Sequence, residues 1–141
     1  MQRHSDRTPA AETTPASHFT AAAGLDGEAY EARSADLLTT YGFTVIARRY
    51  RCRAGEIDLI AVNAHQLLLV EVRARRSRSH GGAAASVDRK KQCKLMRCAA
   101  FFLRRNPQWQ HLPCRFDVVA WEPGNRAGVL TARWIPGAFL A

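Results

Sequence analysis

The chain has 141 residues, 47% of them hydrophobic, and no uncharged run near the roughly 18 residues that cross a bilayer, so it is sized for one domain with its own core and not for a helical membrane span. Twenty-one Lys and Arg against 12 Asp and Glu give a formal charge of +9 and a pI near 10.3. That excess favours a polyanionic partner, nucleic acid ahead of an acidic membrane surface, because no basic amphipathic helix with a clean apolar face stands out.

The first eighteen residues are rich in Thr, Pro, Ala and Ser and lack the apolar stretch of a secretory signal. Residues 1–23 are therefore expected to be a disordered tail and 24–141 a single domain, with a cytoplasmic location. Asp26 is a candidate N-cap for a helix over Glu28–Tyr41, ended by Gly42, in which Ala35, Leu37, Leu38 and Tyr41 form the apolar stripe. Glu28 and Glu31 share a face of this helix. As acidic residues in early turns they suit the helix dipole, and the alternative is a carboxylate aimed at a site elsewhere.

Phe43–Arg51 reads as a strand whose apolar first half gives way to Arg48, Arg49 and Arg51 beside Tyr50, a grouping suited to phosphate contact or to a solvated strand end. Ile57–Val62 and Leu67–Val72 follow as two more strands joined at Asn63–Gln66. A two-residue turn at Ala64–His65 sets Val62 opposite Leu67, Ile60 opposite Leu69, Asp58 opposite Glu71 and Glu56 opposite Arg73. Alternation then puts Glu56, Asp58, Glu71 and Arg73 on one face, with Ile57, Leu59, Val70 and Val72 on the other. Opposed carboxylates repel. A hard divalent cation relieves that repulsion, so Asp58 and Glu71 are the candidate metal ligands; a solvated, salt-bridged hairpin edge is the plainer reading of the same residues.

Arg75, Arg76, Arg78 and His80 lead into Gly81 and Gly82, a basic loop suited to a phosphate backbone. Ser86–Arg105 reads as the second helix, with Ser86 as N-cap, Val87, Leu95, Cys98, Ala99 and Phe102 as its apolar stripe, and Lys90, Lys91, Lys94 and Arg97 projecting from its first half. Asn106 and Pro107 stop it. Arg115–Trp121 is a strand, and Val129–Ile135 one further strand across a turn-like EPGNRAG. Cys52, Cys93, Cys98 and Cys114 lack the CxxC spacing of zinc sites and read as reduced, mostly buried thiols, with Cys93 and Cys98 on different sides of the second helix.

The blocks GEIDLI at 55–60, VEVRAR at 70–75, GGAAASVDRKK at 81–91 and RFDVV at 115–119, preceded by Gly27, Glu31, Leu38, Gly42 and Phe43, resemble the YraN family. The resemblance covers about residues 24–122. It implies kinship with PD-(D/E)xK nucleases and archaeal Holliday-junction resolvases, hence an α/β fold with a restriction-endonuclease-like three-layer core, a mixed β-sheet flanked by helices in the order αβββαβ. It further implies that Asp58 and Glu71 bind Mg²⁺ or Mn²⁺, that Glu31 is the helical acidic residue with Glu28 as fallback, and that resolvase-like molecules pair as homodimers.

Arg73 departs from that pattern, which has Lys in this place. Lysine can lose its proton when buried and so help activate water, whereas arginine effectively cannot; Arg73 can still hold a phosphate and stabilise developing charge. The expectation is a metal-dependent nuclease acting on DNA, branched or otherwise non-duplex DNA included. Its catalytic set is Glu31, Asp58, Glu71 and Arg73, and its nucleic-acid contacts are Arg49, Arg51, Arg75, Arg76, Arg78, Lys90, Lys91 and Lys94, with Lys90 or Lys91 as a substitute for the missing lysine. The alternatives are a nucleic-acid-binding protein that kept the fold and lost turnover through Arg73, and a scaffold that meets protein partners through the hairpin.

Overall fold

The computed structural model describes residues 19–75 and 87–139. Its elements are β1 (Thr20–Ala22), α1 (Gly27–Thr40), β2 (Thr44–Cys52), β3 (Gly55–Val62), β4 (Leu67–Ala74), α2 (Arg89–Arg105), a 3₁₀ turn (Pro107–Trp109), β5 (Cys114–Pro123) and β6 (Val129–Phe139). The strands form one mixed sheet in the order β1-β6-β5-β4-β3-β2. All neighbours are antiparallel except β4 and β5, which run parallel from Leu67↔Cys114 to Ala74↔Trp121. A parallel pair needs a crossover, and α2 supplies it.

Each helix covers one face. α1 packs Tyr30, Ala35, Leu37 and Leu38 onto Leu59, Ala61, Leu68, Val70, Val119, Trp121 and Trp134. α2 packs Leu95, Cys98, Ala99 and Phe102 onto Ile57, Ile60, Val62, Leu67, Leu69, Phe116, Val118 and Ala120. β4 and β5, central and covered on both sides, are accordingly buried along most of their length. The two large indoles find polar partners inside this core: Trp121 Nε1 donates to Ser34 Oγ at 2.9 Å, and Trp134 Nε1 donates to Asp117 Oδ2 at 2.8 Å. Asp117, fully buried, also accepts from Nε and Nη2 of Arg115 and from Gly137 N–H, so its charge is satisfied by structure alone.

The helix signals divide between confirmation and correction. Asp26 caps α1, accepting from Ala29 N–H at 2.9 Å, and Gly42 takes φ +88° just past the helix. The cap of α2 is not Ser86, which lies outside the described residues, but Asp88, whose Oδ1 accepts from Lys91 N–H at 2.8 Å; the helix starts at Arg89. Cys93 is exposed and Cys98 buried, on different sides of α2 as expected. The strand β1 lies inside the stretch assigned to the tail: Thr20, Ala21 and Ala22 pair with Thr131, Leu130 and Val129, and Ala21 is buried, so ordered chain begins before residue 24 and the element order gains a strand at its N-terminal end.

Candidate metal and phosphate site

The β3–β4 hairpin has the expected register, Val62↔Leu67 to Leu59↔Val70, and there the ladder stops. Asn63 sets the turn: its side-chain oxygen accepts from His65 and Gln66 N–H, and its own N–H donates to Gln66 C=O. Beyond Leu59 the strands separate, and Asp58 Oδ2 accepts from Val72 N–H at 2.8 Å in place of a ladder bond. Asp58 and Glu71 are therefore not a directly opposed ladder pair, and Glu56 does not face Arg73 but pairs with Arg51 on the neighbouring strand. A side chain that replaces a backbone bond opens the sheet, and that opening is where the acidic groups gather.

At the same level β2 is irregular as well. Arg48 pairs with Leu59 and Tyr50 with Ile57, leaving Arg49 and Asp58 between them. Arg49 has φ +49°, the only positive value outside glycine among the described residues. Alternation breaks on both strands here: Ala47 and Tyr50, three apart across Arg49, both pack on the α2 face, and Leu59 packs on the α1 face whereas Ile57, two residues before it, packs on the α2 face. Ile57 thus departs from the expected facing with Leu59, Val70 and Val72. A non-glycine residue in this conformation carries strain of order 1–3 kcal/mol and is held by its surroundings. Here Arg49 Nε donates to Glu31 Oε2 at 2.9 Å, with Glu28 3.9 Å from the guanidinium.

These distortions bring Glu31 from α1 together with Glu56 and Asp58 from β3, one oxygen from each lying within 4.8 Å of the others. Glu56 was not among the expected site residues; its only sequence signal was its place two residues before Asp58 on the same strand. Glu71 is 5% exposed. Its Oε1 accepts from Lys91 Nζ at 2.5 Å and stands 3.3 Å from the Arg73 guanidinium, while its Oε2 is buried without a hydrogen-bond partner. Gly55, Glu56, Asp58, Glu71, Asp88, Lys90, Lys91, Lys94 and Leu95 line one cavity of about 400 Å³.

Burial, and next the charge of Glu71, push the Asp58 carboxyl up to about 7; the Val72 N–H and the Lys91 charge oppose the rise without cancelling it. A carboxylate that resists ionisation among other carboxylates is a place where a cation is favoured. All the converging donors are oxygens, as Mg²⁺ and Mn²⁺ prefer, and the bare Glu71 Oε2 is a buried acceptor that needs a cation or a water. The residues fit a divalent ion.

The basic candidates divide. Lys90 and Lys94 are exposed at the mouth of the cavity, Lys91 turns inward to Glu71, and Arg75 is half-buried after β4 with its N–H bonded to Trp121 C=O. Arg49 and Arg51 are engaged with Glu31 and Glu56, so among the described residues they serve first as partners of acidic groups. Arg76 and Arg78 lie outside the described residues.

A mixed sheet with one helix on each face, acidic side chains gathered where β3 leaves β4, and a lysine reaching in from the crossover helix define an α/β domain of the restriction-endonuclease-like class. Residues 30–121 match Uncharacterised protein family UPF0102, the family of the YraN proteins, and the chain belongs to it. It is 46% identical over 115 residues to a UPF0102 protein of Alcanivorax borkumensis, covering 82% of this chain and 91% of that one. It is 40% identical over 113 residues to one of Pseudomonas putida strain GB-1, with 80% and 91% covered, and 47% identical over 117 residues to one of Bordetella petrii, with 80% and 68% covered.

Proposed function

We propose that this protein is a divalent-cation-dependent nuclease that hydrolyses phosphodiester bonds in DNA, branched or otherwise non-duplex DNA included. The single observation that carries the reading is the meeting of carboxylates from three elements: Glu31 of α1 clusters with Glu56 and Asp58 of β3, and Glu56 and Asp58 share one cavity with Glu71 of β4 and the Lys91 ammonium. A bound Mg²⁺ or Mn²⁺ would polarise the scissile phosphate and lower the pKa of a water.

The chain's own groups do the rest. Asp58 and Glu71 would hold the ion, with Glu31 and Glu56 as further acidic ligands. Each carboxylate is steadied by a partner on one oxygen: Glu31 by Arg49, Glu56 by Arg51, Asp58 by Val72 N–H and Glu71 by Lys91. Partners of this kind fix ligand orientation before the ion arrives. Lys91 supplies from α2 the amine that β4 lacks, able to hold a phosphate oxygen or pass a proton, and Arg73 adds fixed positive charge for a phosphate. Lys90 and Lys94, exposed on the same helix, extend the positive surface along a backbone track.

Purified protein is incubated with linear duplex, single-stranded, flapped and four-way DNA in Mg²⁺, Mn²⁺ or EDTA, alongside Asp58→Ala, Glu71→Ala and Arg73→Lys. Cation-dependent cutting that both alanine variants lose is expected. Arg73 in the lysine position favours a second reading, a binding protein without turnover; binding with no cutting under any cation would establish it. Undiminished cutting by Asp58→Ala would place the chemistry elsewhere.

A further inference from the structure

Outside the acidic cavity, two cysteines from distant parts of the chain meet. Cys52, the last residue of β2, and Cys98, in the middle of α2, have their sulfurs 2.8 Å apart. The two are not equivalent. Cys98 is fully buried and its sulfur lies 3.4 Å from Gly55 C=O and 3.8 Å from Tyr50 C=O. Carbonyls can only accept, so Cys98 is the sulfur that keeps its proton. Cys52 is half-buried and accepts from Ala54 N–H at 3.3 Å. The remaining thiols lack such an arrangement: Cys93 is exposed on the outer side of α2, and Cys114 faces Leu112 C=O at 3.8 Å.

We propose that Cys52 and Cys98 form a reversible oxidation site, in which a hydroperoxide converts the pair to a disulfide that ties α2 to the turn between β2 and β3. The Cys52 thiolate attacks one peroxide oxygen, giving a sulfenic acid and releasing hydroxide, or alkoxide from an organic peroxide. The Cys98 sulfur then attacks the Cys52 sulfur, and its proton leaves with the displaced hydroxyl as water. Two thiols and one hydrogen peroxide give one disulfide and two waters.

The assignment of roles follows from the surroundings. Burial pushes the Cys52 thiol up, but the Cys98 thiol and the backbone N–H groups of Ala54 and Gly55 outweigh it and hold the thiol below its ordinary value. Burial, and next the contact with Cys52, push Cys98 up to about 12. The attacking thiolate is thus the half-exposed one, and the resolving thiol is the sheltered one. A disulfide needs the sulfurs at about 2.05 Å, so less than about 1 Å of approach is required. The tie has a location that matters: Gly55 follows the turn, and Gly55 and Glu56 form one wall of the acidic cavity while Lys91 and Lys94 of α2 form the facing one. The site does not depend on the nuclease reading.

The test treats the reduced full-length protein with stoichiometric hydrogen peroxide and follows intact mass, free thiols and non-reducing peptide maps. Loss of two of the four thiols, a mass decrease of about 2 Da, one peptide joining Cys52 to Cys98, and full recovery with dithiothreitol are expected. Cys52→Ser, a change at a half-buried position, should keep Cys98 as a free thiol under the same treatment. Retention of all four thiols, oxygen addition without a crosslink, or a crosslink through Cys93 or Cys114 would overturn the proposal. Cation affinity measured on both redox forms reads the cavity separately, so a failed crosslink and a failed metal site give different results.

Discussion

Replacing Asp58 by Asn should make the cation-free protein more stable at alkaline pH while removing its affinity for divalent ions. In the folded chain burial and the Glu71 charge raise the Asp58 carboxyl to about 7 from the ordinary 3.8. Between those values the folded state holds a proton that the unfolded chain has released, so the stabilisation is complete below about pH 4, falls by up to about 1.4 kcal/mol per pH unit, and is gone above about pH 7. Three units set an upper bound of about 4 kcal/mol on the cost of the charged form. Asn keeps an oxygen for Val72 N–H but brings an amide that needs acceptors, so a gain of about 2 kcal/mol at pH 8 is expected, shrinking towards zero near pH 4. Urea unfolding in EDTA from pH 4 to 8 reads the difference directly. Addition of Mn²⁺ should then raise the stability of the parent and leave the variant unchanged. A variant less stable than the parent at pH 8 in EDTA would refute the claim that Asp58 is held in an environment hostile to its own charge.

Other outcomes follow from the same geometry. Glu56→Gln, which keeps the side-chain shape but removes a charge from the acidic cluster, should weaken Mn²⁺ binding by roughly 10–100-fold in calorimetric titration. Lys91→Met should cut DNA hydrolysis by about 10²-fold or more, and Arg73→Lys in that background should restore part of it, read as single-turnover rates. Lys90→Ala and Lys94→Ala should each reduce the slope of log affinity against log salt by about one on duplex DNA, measured with a catalytically silent variant. Asp88→Ala should lower stability by about 1 kcal/mol through loss of the α2 cap, seen as a shift of the urea midpoint without a change in slope.

Much of this arrangement was legible in residues whose local preference agrees with the fold. Asp26 and Gly42 bound α1, the β3–β4 register follows from two aliphatic runs and an Asn63 turn, and the acidic pair Asp58 and Glu71 is marked by its spacing within that hairpin. What escaped depends on contacts between distant segments. Asp58 bonds to Val72 N–H and ends the ladder, an event that alternation cannot anticipate because it exchanges a backbone bond for a side-chain one. The left-handed Arg49 carries no signal in sequence, since Gly or Asn is the usual mark of that conformation. Lys90 and Lys91 are equivalent in sequence, and the start of α2 separates them: with the cap at Asp88, three residues before Lys91, the Lys91 amine reaches Glu71. The strand β1 is three residues long and owes its place to β6, more than a hundred residues later.

Anomalous scattering from crystals grown with Mn²⁺ tests the acidic convergence most directly. A manganese peak within coordination distance, about 2.0–2.4 Å, of carboxylate oxygens from Asp58 and Glu71, and its loss in Asp58→Asn, is the predicted result. Ordered crystals at millimolar Mn²⁺ with no peak in that cavity, or with the ion bound only elsewhere, would contradict the account.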